Sequence, residues 1–210
     1  MKKKVNIFWF RRDLRLDDNH GLFQALQDKN SVLPIFIFDS NILERLQKND
    51  ARVTFIHETL QKINTQLQKE YNTGISIFFG KPIDIFKQLI ETNTIESIYT
   101  NHDYEPYAKE RDSEIKTFLG EHNVNFKTYK DQVVFEKNEI TKSDGKPYLV
   151  YTPYMKRWKE AFRRLDFKTY PSETLLSNLI SNHDFLNLSL ENIGFTKSNQ
   201  KIAPYTVNPL

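Results

Sequence analysis

The chain has no cysteine. That excludes disulfides, thiol nucleophiles and cysteine-ligated metals, and it suits a reducing compartment. Glycine is scarce, six in 210 residues, and none follows the first apolar run until Gly21. Dinucleotide loops and P-loops need glycines at that turn, so backbone cradling of a phosphate is excluded there. No stretch approaches the roughly 20 apolar residues of a membrane span. Val5 to Phe10 is too short for a signal-peptide core and runs into arginines. A soluble, cytoplasmic chain is expected. His20, His57, His102, His122 and His183 lie far apart without metal spacing, so no metal site is expected and each reads as a surface or capping residue. Nucleophile elbow, internal repeat and low-complexity tract are all missing. A net charge of +3 is too small for a whole-molecule argument about nucleic acid.

What is present is organised around Ile7-Phe8-Trp9-Phe10-Arg11-Arg12-Asp13-Leu14-Arg15-Leu16-Asp17-Asp18-Asn19. An apolar run of strand length breaks into a charged loop and ends in acceptors suited to capping a helix from His20. Strand, loop and capped helix open an α/β unit. Val32 to Asp39 is a second buried strand, with Pro34 tolerated near its start. Asn49 to Tyr71 carries Val53, Ile56, Leu60, Ile63 and Leu67 at helical spacing. Ile75 to Phe79, Ile95 to Thr100 and Val124 to Tyr129 complete five strands, separated by helices near 83–90 and 104–120. Five strands alternating with four helices predict a Rossmann-like parallel sheet in the order 3-2-1-4-5, with helices on both faces. In such a sheet ligands sit beyond the carboxyl ends of the strands. Arg11, Arg12 and Arg15 leave the first strand there, either to hold a ligand or to be salt-bridged or solvated loop charges.

After Tyr129 the rhythm changes. Val133-Val134-Phe135 and Tyr148-Leu149-Val150-Tyr151 flank the turn sequence Lys142-Ser143-Asp144-Gly145-Lys146, which predicts a hairpin or two extended pieces. Thr152-Pro153 starts a basic helix to Leu165, its buried face predicted at Trp158 and Phe162. Lysines and arginines interleaved with aromatics there also suit nucleic acid. From Asp166 periodicity is weak, which predicts a linker wrapping the surface with one short helix near 172–179. The organisation expected is an α/β core over 1–130, a completing stretch over 131–165 and an interdomain linker over 166–210. The ending Val207-Asn208-Pro209-Leu210 carries no terminal element, which suggests a fragment or a domain that expects a partner.

A third stretch, Asn101-His102-Asp103-Tyr104-Glu105-Pro106-Tyr107, leaves the fourth strand beside the first. Its acids, amide and tyrosines suit a planar polar ring, and equally a helix N-terminus. At these stretches the chain resembles the DNA photolyase/cryptochrome family. The opening motif carries the likeness, with Phe38-Asp39, Ala51-Arg52-Val53, Asn101 to Tyr107, Arg111-Asp112, Pro147-Tyr148, Tyr151 to Tyr154 and Ile193-Gly194-Phe195. The resemblance implies the N-terminal α/β domain of a deoxyribodipyrimidine photolyase, without the larger C-terminal helical domain that binds FAD. The family's reaction is light-driven splitting of cyclobutane pyrimidine dimers in damaged DNA, with reduced FAD as electron donor. No catalytic residue maps onto this chain, which alone is expected to be inactive.

The resemblance further implies an antenna-chromophore pocket in this domain. The folate-binding subgroup places Asn-Glu where Tyr107-Ala108 stand here, and Glu-Pro-Tyr resembles the subgroup that binds a deazaflavin or flavin. Carried over, the site residues are Phe36, Phe38, Asp39, Arg52, Asn101, Asp103 and Glu105, with Arg11 nearest the strand end. A pocket without chromophore also fits the family. Partners implied are damaged DNA and the chain's own FAD domain, in a monomer. A cryptochrome photoreceptor, a (6-4)-type photolyase and a stand-alone α/β ligand-binding module are the alternatives.

Overall fold

The structure is a computed structural model that describes residues 4–200. Lys2, Lys3 and the closing Val207 to Leu210 therefore lie outside the described residues. Five parallel strands, β1 (Lys4–Phe10), β2 (Val32–Asp39), β3 (Ser76–Gly80), β4 (Thr94–Asn101) and β5 (Asn125–Tyr129), form one sheet in the order β3-β2-β1-β4-β5. The order is the predicted one. Helices α1 (His20–Leu26) and α3 (Ala51–Tyr71) cover one face, and α4 (Pro82–Thr92) and α5 (Pro106–Glu121) cover the other.

Alternation along β1 divides the core. Phe8 and Phe10 point to the α1/α3 side, with Phe36, Phe38 and Leu60. Val5, Ile7 and Trp9 point to the α4/α5 side, with Ile35, Phe86 and Ile115. All of these are buried, as a central strand covered on both faces requires. A four-residue helix, α2 (Ser40–Leu43), was not anticipated; Asp39 caps it by accepting from the Asn41 amide at 3.0 Å.

Of Asp17, Asp18 and Asn19, only Asn19 caps α1, accepting from Leu22 N at 3.1 Å. Asp18 turns the chain in a left-handed conformation and accepts from Tyr170 N at 2.9 Å.

Three expectations are corrected after β5. Of the hairpin or two extended pieces expected, the hairpin is ruled out, because no strand forms between 130 and 150. The Lys142–Lys146 turn closes, with Lys142 N donating to Lys146 O at 2.9 Å, but the flanks never pair. They are held by side chains instead: Tyr104 Oη donates to Glu136 at 2.5 Å, and His102 also contacts Glu136. Helix α6 (Tyr151–Arg163) has no buried residue; Trp158 and Phe162 stack on each other rather than on a core. Residues beyond 166 do more than wrap the surface. A 3₁₀ helix at Ser172–Asn178 packs on α1, and Leu176, Leu179, Leu190, Ile193 and Phe195 are buried in the α1/α3 core.

Among the described residues, no helix is long and apolar enough to cross a membrane, and no group of three or more His, Asp or Glu could hold a metal ion.

Candidate functional site

A cavity of about 410 Å³ opens beyond the carboxyl ends of β1 and β2. That lies within the roughly 300–1,000 Å³ of small-molecule pockets. Its apolar wall is built by short-range rules. Phe36 and Phe38 share a face because strand side chains alternate, and their rings meet edge to face at 4.9 Å. Ile42, Leu43 and Leu46 come from α2 and the turn after it, and Val53 and Ile56 from the first turns of α3. The polar wall holds Arg11, Arg12, Asp39, Arg52, Asp103 and Arg111.

Arg11 is a buried cation. Its Nη1 and Nη2 each donate to Asp112 at 2.8 Å, joining the end of β1 to α5. Its guanidinium lies 4.0 Å from the centre of the Trp9 ring, and that of Arg111 lies 4.9 Å from the same ring. Burial and the charge of Arg111 lower the Arg11 pKa to about 10 against the pull of Asp112, so it stays charged at neutral pH. Its Nε is buried with no hydrogen-bond partner, an unfilled donor in a residue of the cavity wall.

Asp39 is already committed. One oxygen caps α2 and the other accepts from Tyr107 Oη at 2.6 Å, with Arg111 at 4.0 Å. Burial, followed by the Asp39 hydrogen bond, pushes the Tyr107 phenol above its ordinary pKa. Arg12 and Arg52 are the exposed cations of the rim. Arg12 makes loose pairs with Asp103 at 3.5 Å and Glu105 at 3.6 Å, whereas Arg52 folds back on its own N-cap, Asp50, at 2.7 Å.

Six of the eight expected site residues, Arg11, Phe36, Phe38, Asp39, Arg52 and Asp103, thus line one cavity. Two stand elsewhere. Asn101 is buried behind the cavity: its Nδ2 donates to Asp13 at 2.5 Å and Asn19 at 2.9 Å, and its Oδ1 accepts from Gly21 N at 2.9 Å. A Cβ on Gly21 would sit 2.6 Å from that Oδ1, so only glycine admits this strut. Glu105 is exposed at the start of α5 and does not line the cavity. Sequence reasoning did not assign Trp9, Ile42, Leu46, Val53, Ile56 or Arg111 to the site, although all six line the cavity. The signals were there: Ile42 and Leu46 are four apart, and Arg111 is one turn on from Tyr107.

Residues 6–173 match the family model described as DNA photolyase. The chain belongs to the DNA photolyase family. It is 31% identical over 153 residues to a deoxyribodipyrimidine photo-lyase of Synechococcus sp., covering 73% of this chain and 31% of that protein. The chain therefore spans about a third of that relative's length. Cryptochromes, including Cryptochrome-1 of Drosophila melanogaster, are among the relatives. The fold superposes on a bacterial class III photolyase from Agrobacterium tumefaciens with a TM-score of 0.76, at 22% identity over 95% of this chain and 40% of that one. It superposes on an archaeal photolyase from Sulfolobus tokodaii with a TM-score of 0.62, at 25% identity over 84% of this chain and 42% of that one. The archaeal structure contains two FAD molecules, with the implication of a novel light-harvesting cofactor.

Proposed function

We propose that this chain is the antenna-chromophore domain of a light-driven DNA repair enzyme. The full-length protein would split cyclobutane pyrimidine dimers with FAD held on a C-terminal helical domain, acting as a monomer on damaged DNA. The observation that carries the reading is the cavity itself: an aromatic and aliphatic wall facing a rim of arginines and carboxylates, at the carboxyl edge where this sheet type binds ligands. Such a wall suits a planar heteroaromatic ring of deazaflavin or flavin type. A folate is less well served. Tyr107 Oη is spent on Asp39 and Asn41, and Ala108 is buried without a polar side chain. The second FAD of the archaeal relative supports a flavin as one occupant.

The chromophore, when bound, absorbs light and passes the energy to FAD. The chain's own residues bind and shield it. Phe36, Phe38, Ile42 and Val53 exclude water from the ring. Arg11 Nε offers a buried donor, and Arg12 and Arg52 neutralise negative charge at the mouth. Asp39 holds Tyr107 in place through its hydrogen bond and sits beside Arg111.

Titration of the purified chain with a deazaflavin, FMN, FAD and a reduced folate, followed by absorbance, tests the reading. The expected result is tighter binding of deazaflavin or flavin than of folate, weakened several-fold by Arg52→Ala. Tighter folate binding, or no binding of any of the four, would overturn it. The full-length protein should be yellow and repair dimers under blue light. A full-length protein that binds FAD but leaves dimers intact would favour a cryptochrome photoreceptor. Repair by the 210-residue chain alone would contradict the domain assignment.

A further inference from the structure

Helix α6 lies apart from the chromophore cavity, and its side chains are unexplained by it. Between Lys156 and Arg164 the helix and its C-cap residue carry five cations, Lys156, Arg157, Lys159, Arg163 and the cap Arg164, against a single acid, Glu160. Glu160 pairs with Arg157 at 3.3 Å and Arg164 at 2.9 Å. Lys156, Lys159 and Arg163 recur at spacings of three and four, so they form one row on the helix, and none makes an ion pair among the described residues. All three are exposed. Beside this row runs a ladder of rings. Trp158 and Phe162 stack at 4.9 Å with 13° between planes, and Phe167 meets Phe162 edge-on at 5.2 Å. Phe167 itself is 62% exposed, with Asp166 the only acid next to it in sequence. No residue of α6 is buried, so the helix is not committed to the core.

We propose that α6 and Phe167 form a platform for single-stranded DNA, the row of cations tracking phosphates and the exposed ring stacking a base. Charge complementarity selects a polyanion, and the rings select one with accessible flat faces, which a single strand offers and a duplex does not. A membrane surface shares the negative charge. Leu149, Val150 and Phe167 are exposed apolar side chains that a lipid surface would also accept, and the vesicle arm of the test below separates the two. The platform does not depend on the antenna reading.

Fluorescence anisotropy tests it, with a labelled oligodeoxythymidine of about 16 nucleotides titrated by the intact 210-residue chain. Because α6 is exposed, its variants should keep the wild-type circular dichroism spectrum. The expected result is salt-sensitive binding. The K156E/K159E/R163E variant should weaken it at least about tenfold at low salt and flatten the slope of log K against log salt by about 2, near 0.7 per lost contact. Phe167→Ala should weaken binding several-fold with the slope unchanged. R157Q/R164Q, which removes only cations already shared with Glu160, should have the smaller effect. Four results would overturn the proposal: no binding at low salt, equal binding by the triple reversal, preference for duplex over single strand, or tighter binding to anionic phosphatidylserine vesicles than to the oligonucleotide.

Discussion

Asn101 spends every polar atom of its side chain inside the protein. From composition alone an amide at a strand exit could read as a ligand group. Only the three-dimensional arrangement shows that Asp13, Asn19 and Gly21 surround it. Removing it leaves the Gly21 N–H and the Asp13 carboxylate short of buried partners, at about 1–3 kcal/mol for each group left unsatisfied. Asn101→Ala should therefore lower stability by about 2–4 kcal/mol, read as a shifted urea midpoint at constant slope. Arg11 makes the same point about charge. Its partner Asp112 lies 101 residues away, so pairing was invisible in the loop sequence. Asp112→Asn strips a buried guanidinium of its counter-charge and should destabilise by about 3 kcal/mol. The change should also alter Trp9 fluorescence, because the same guanidinium lies over the indole. Unchanged stability in either variant would mean that water or a neighbouring side chain replaces the lost partner.

At the scale of elements, the strands were legible because they are apolar runs bounded by turn residues, and β2 spans Val32–Asp39 as read. Helix α2 was not: four residues are too few for a period. Of the two alternatives predicted after β5, a hairpin or two extended pieces, the hairpin fails for want of a partner. Leu149 and Val150 have strand-like character but stay exposed, since no neighbouring edge receives them. What fixes the 130–140 stretch is Glu136. Partial burial opposes its charge, yet hydrogen bonds from Tyr104 and His102 outweigh that and hold its carboxyl below the ordinary glutamate range. A carboxyl lowered in the folded state contributes stability above its unfolded pKa, and the contribution is lost as pH falls through the folded value. The clamp should therefore be intact at pH 7 and released below about pH 4. Glu136→Gln should lower the urea midpoint at pH 7, and the gap from the parent chain should close on acidification. A gap of constant size from about pH 7 to 3 would argue that the Glu136 charge is irrelevant.

For the molecule as a whole, the family match ends at residue 173, but core-building continues to Phe195. Weak periodicity hid this, because isolated apolar residues in a 3₁₀ and turn-rich segment give no helical or strand repeat. Leu176, Leu179, Leu190, Ile193 and Phe195 are all buried. At about 1.5–3 kcal/mol each they contribute roughly 8–15 kcal/mol, as much as the whole net stability of a typical domain. The same segment closes exposed backbone. Ile77 N on the edge strand β3 donates to Leu186 O at 2.6 Å, and Ser172 Oγ donates to Leu16 O at 2.6 Å beside the α1 cap. A chain ending at residue 165 should therefore lose cooperative unfolding and near-ultraviolet circular dichroism, and should aggregate through the bared edge of β3. Ile193→Ala in the full 210 residues is the milder companion, expected to cost about 2–5 kcal/mol without aggregation. Were the shortened chain to unfold as cooperatively as the parent, residues 166–195 would be a linker after all. The cavity beyond β1 and β2 would then stand on a smaller core than these contacts describe.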